Sequence, residues 1–150
     1  MFIVVSMWSC KDFYMDSMYE ISLNNNTSDT ICSLCIYGDY YRFQSVDTLD
    51  KDSSIYEVSI IPANSSGLVV GISDVDSKFL KSNDTITVFI LDKKEYESKI
   101  WSQLADSAPF RQVYHLSGDD IRLLKRKVPY PPSEAMRNMD MVPSYEEAVR

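Results

Sequence analysis

Apolar and polar side chains alternate with a period of two over much of the chain, and that period predicts strands. The clearest stretch is residues 85–91, Thr-Ile-Thr-Val-Phe-Ile-Leu. Thr85 and Thr87 alternate with Ile86 and Val88, and from Val88 onward every position is apolar. This predicts a central strand covered on both faces, with earlier strands pairing beside it and a following helix packed on it. Further strands are expected at 2–8, 13–23, 30–37, 40–46, 55–61, 68–72 and 110–116. Asparagine-rich residues 24–29, Gly38-Asp39 and residues 63–67 mark turns. Residues 47–54 and 74–84 read as polar loops. Pro62 should end its strand, because proline cannot donate to a ladder. Gly71 suggests a bulge or a close backbone approach.

After Leu91 the period lengthens. Tyr96, Ile100, Trp101 and Leu104 fall at helical spacing. Asp92 and Glu95 resemble a capping box, so a helix is expected from Lys93 to about Ala105. Ser117 and Asp120 repeat the cap pattern before Ile121, Leu124 and Val128, which predict a short helix or, alternatively, a strand. From Pro129 the pattern changes again. Prolines 129, 131, 132 and 143 interrupt any regular period, and bulky aliphatic residues thin out. Residues 129–150 therefore read as a flexible, proline-containing tail behind a globular domain of residues 1–128.

The expected fold is α+β and β-rich, a small antiparallel β-sandwich or open barrel with one or two short helices. The 150 residues, 45% hydrophobic and 25% charged, suit one globular domain. A net charge of -7 argues against nucleic acid as a partner, since phosphates would be repelled. No segment reaches the ~18 apolar residues of a membrane span, and residues 1–8 lack the basic start of a signal segment. Ten tyrosines suit sheets and interfaces.

Candidate chemistry is sparse. The chain has three cysteines, an odd number, which favours a reducing cytoplasmic compartment over a disulfide framework. Cys32 and Cys35 have C-x-x-C spacing and could join Cys10 and His115 as zinc ligands. On one strand, however, the two thiols would face opposite ways, so they read as small buried hydrophobes. The single histidine, His115, has no nucleophile assigned by spacing. The carboxylate pairs Asp74/Asp76 and Asp119/Asp120 fit no calcium loop. Lys125, Arg126 and Lys127 form a short basic run, read as solvated. No catalytic residue, metal or cofactor is therefore assigned. Sequons at Asn25, Asn26, Asn64 and Asn83 support an alternative, a secreted glycosylated β-domain that binds an extracellular partner.

Two tail segments, Tyr130-Pro-Pro-Ser133 and Val142-Pro-Ser-Tyr-Glu-Glu-Ala-Val149, resemble PPxY-type motifs that bind WW domains. Such motifs recur in viral matrix proteins and arrestin-like adaptors. Glu134 and Val142 stand where the motif requires Tyr and Pro. Tyr145-Glu146-Glu147 also resembles an SH2-type phosphotyrosine site. The resemblance implies a non-enzymatic structural or interaction protein, viral matrix-like or accessory. It would dock a protein partner through Pro131, Pro132, Pro143, Tyr145, Glu146 and Glu147. A homo-oligomer is compatible with this reading.

Overall fold

The computed structural model describes residues 19–37, 56–72, 85–99, 103, 107 and 109–150. The expectations for residues 2–8, 38–55 and 73–84, and for Cys10, Asp74, Asp76 and Asn83, lie outside the described residues. The described strands are β1 (Tyr19–Asn25), β2 (Ile31–Tyr37), β3 (Tyr56–Ile61), β4 (Ser65–Ile72), β5 (Thr85–Asp92), β6 (Phe110–Ser117), β7 (Lys127–Tyr130) and β8 (Asp140–Val142). The helices among them are α1 (Lys93–Ser98), α2 (Gly118–Leu123) and α3 (Tyr145–Ala148), with a 3-10 turn at Glu134–Met136.

The strands form two sheets, one ordered β4-β1-β7 and the other β3-β2-β5-β6-β8. All pairs are antiparallel except β1 with β7, which is parallel. The fold is thus the expected β-rich α+β sandwich rather than a closed barrel. Ile21 and Leu23 of β1, Val70 of β4 and Val128 of β7 meet Ile86, Val88, Ile90, Tyr114 and Leu116 of the larger sheet in one core. This follows from the alternation: Ile21 and Leu23 point inward while Glu20 and Ser22 point out.

The larger sheet is buried on its other face as well. Cys32, Leu34, Phe89, Leu91 and Val113 form a second cluster, with Tyr96 of α1 and Phe110 packed on it. The Phe89 and Phe110 rings lie 5.0 Å apart at 48°. Burial pushes the Tyr96 phenol up, and the neighbouring Cys32 adds to the shift. As expected, β5 occupies the centre of this sheet and is buried from Ile86 through Leu91.

Several local readings change. The helix α1 ends at Ser98, because Lys99 is extended (φ -118°, ψ 142°). Asp92 makes no side-chain cap; its carboxylate pairs instead with Arg111 at 2.5 Å. The second cap forms as read, with Ser117 and Asp120 exchanging side-chain and backbone hydrogen bonds. The segment after it is both alternatives in turn, α2 and then β7. The register shift between β1 and β4 falls at Ile21/Ser22, opposite Val69, and not at Gly71. Close backbone approach occurs at Gly67, where a Cβ would stand 2.6 Å from Ile61 Cγ1.

The largest correction concerns residues 129–150, expected as a flexible tail. They are folded onto the body. Tyr130, Met136, Met141 and Tyr145 belong to the main core, and Met136 is fully buried. Three backbone anchors hold them. Asn26 N–H donates to the Tyr130 carbonyl at 2.8 Å, Tyr114 OH to Pro129 at 3.1 Å, and Gln112 Nε2 to Pro143 at 2.8 Å. Apolar anchors that recur irregularly across a strand, a 3-10 turn, a second strand and a helix leave no single period to read.

Candidate functional site

The site residues expected from sequence sit on this folded segment. The Tyr130-Pro131 and Val142-Pro143 peptide bonds are cis. Pro132 is buried, Pro143 half-buried, and Pro131, Glu146 and Glu147 are exposed. Tyr145 is only 8% exposed. The prolines therefore do not form one extended strip, and the tyrosine ring faces the body.

Two residues that sequence reasoning missed organise the segment. Arg137 donates from Nε to Glu134 Oε1 at 2.8 Å and from Nη2 to Oε2 at 3.0 Å, a bidentate fork. Its third nitrogen, Nη1, donates to Glu146 Oε1 at 3.0 Å. The guanidinium also lies 4.8 Å from the Tyr145 ring centre, and the Tyr145 hydroxyl donates to Glu134 Oε2 at 2.8 Å. Hydrogen bonds from Arg137, then from Tyr145, hold the Glu134 carboxyl below the usual range. The Tyr145 phenol is raised in turn, chiefly by its bond to Glu134. Glu147 caps α3, accepting from Ser144 N and Oγ at 3.0 and 2.8 Å. Those bonds hold its carboxyl low as well. The i,i+3 spacing of Glu134 and Arg137 was the available signal, but a segment read as tail offers no helix on which to apply it.

In the same segment, Val142 is 60% and Val149 is 49% exposed. No family model, curated protein or solved structure matches this chain.

The other candidates resolve into structural roles. Cys32 and Cys35 are buried on opposite faces of β2, one in each apolar cluster, so the two thiols cannot face one metal. No metal-holding group of His, Cys, Asp or Glu occurs among the described residues. His115 Nδ1 lies 3.2 Å from Thr87 Oγ1, its partner across β5 and β6. Asp119 and Asp120 are not loop charge: Asp120 caps α2 and Asp119 pairs with Arg122. Of the sequons, Asn26 and Asn64 are exposed, whereas Asn25 is buried with its carboxamide engaged.

A shallow polar cleft of about 660 Å³ lies among Asp29, Thr30, Asp92, Lys93, Glu95 and Arg111. Arg111 stands at the register shift between β5 and β6, which aims it at Asp29 (3.1 Å) and Asp92 (2.5 Å). Burial works against its charge, but hydrogen bonds with Tyr130, Asp92 and Asp29 prevail and raise its pKa. With its cation neutralised twice, this cleft reads as a clamp between elements. No helix among the described residues is long and apolar enough to cross a membrane.

Proposed function

We propose that this chain is a non-enzymatic interaction protein that docks a protein partner through its C-terminal segment. One observation carries the reading: Val142 and Val149 are exposed on a segment that Met136, Met141 and Tyr145 anchor in the core. Apolar side chains exposed on a rigid support are a feature of docking surfaces where they join into a patch. Docking then draws on the exposed residues of this folded segment, Pro131, Glu146 and Glu147 among them, and not on an extended peptide. A WW- or SH2-type partner that reads Tyr145 itself would require that ring to leave the core. The narrower form, a viral matrix-like or accessory protein, draws its support from the proline-tyrosine resemblance. A cytoplasmic location draws its support from two buried thiols that face apart and cannot pair with each other.

The test compares proteins captured from native-host extract by the wild-type chain and by Val142→Asp/Val149→Asp. Both changes are at exposed positions, so the fold should persist, as circular dichroism would verify. A partner retained by wild type and lost by the variant is the expected result; identical capture removes the reading.

A second reading, a secreted glycosylated domain, is favoured by the exposure of Asn26 and of Asn64, the latter at φ 51° in the turn between β3 and β4. It predicts a glycosidase-sensitive gel shift on host-derived protein that Asn26→Gln/Asn64→Gln abolishes. Material of unshifted mobility would exclude it.

A further inference from the structure

We draw no further inference here: the strongest candidate, the exposed apolar side chains of Val58 and Ile60 on the edge strand β3 of the larger sheet, carries nothing because nothing in the structure shows what covers it.

Discussion

Asn25 is 1% exposed, yet its carboxamide is fully engaged. Its Nδ2 donates to the carbonyls of Asp29 at 2.8 Å, Pro62 at 3.0 Å and Ile61 at 3.2 Å. Its Oδ1 accepts from Thr27 N at 3.1 Å and Thr27 Oγ1 at 2.7 Å. One side chain thus ties the turn after β1 to the turn after β3, across the two sheets. Asn25→Ala leaves buried carbonyls without donors, and each unsatisfied group costs about 1–3 kcal/mol. Urea denaturation should therefore show a loss of about 2–3 kcal/mol. Asn25→Asp should cost at least as much, because it turns a carboxylate oxygen towards three carbonyls. A loss below ~0.5 kcal/mol, the usual surface value, would mean that water replaces the amide. The clue in the sequence was positional. Asn25 continues the inward series of Ile21 and Leu23, so a polar residue stood at a core position. Turn chemistry and the sequon explained the asparagine equally well and concealed this role.

At the scale of elements, legibility followed periodicity. The strands β2, β3, β5 and β6 were readable because each alternates or runs apolar without interruption over a full strand length. The helix expected over 93–105 is interrupted at Lys99, where the backbone is extended; Ile100, Trp101 and Leu104 lie outside the described residues, and Gln103 and Ser107 beyond the break are again helical. The segment after β7 was missed because its composition resembles that of unfolded chains, although a few anchors suffice to fold it. The same composition hides part of the candidate site: the sequence shows its residues but not the Glu134–Arg137 lock that orients them. Truncation after Tyr130 should accordingly be severe. It removes Met136, Met141 and Tyr145 from the core, and burial losses of this kind cost about 2–5 kcal/mol for each methionine or larger residue. The sum rivals the 5–15 kcal/mol that holds a whole domain together, so the truncated chain should lose its cooperative thermal transition. Met136→Ala alone should cost about 2–4 kcal/mol by chemical denaturation. A truncated form melting within a degree or two of wild type would restore the reading of residues 129–150 as a tail.

For the whole molecule, charge acts in two opposing ways as pH falls. The net charge of -7 diminishes, which relaxes self-repulsion. At the same time, carboxylates bound in the folded state must be protonated, which withdraws support. Glu134 separates the two effects. Its carboxyl is held below its ordinary value of 4.5 by Arg137 and then Tyr145, so folding favours the ionised form. The resulting stabilisation is complete above 4.5 and is lost as pH falls through the lower, folded-state value. Replacing one surface carboxylate changes global repulsion only slightly. The difference in Tm between wild type and Glu134→Gln therefore isolates the local interaction. Because the group is exposed, solvent screens much of the effect, and the variant should melt a few degrees lower at pH 7. That gap should stay constant down to about pH 5 and narrow steadily below it. High salt should shrink it at every pH, since the Arg137 contacts lie at the surface. A gap of constant size from pH 7 to pH 3 would mean that the lock between Glu134, Arg137 and Tyr145 does not bear on global stability, and that the C-terminal segment is held by its buried anchors alone.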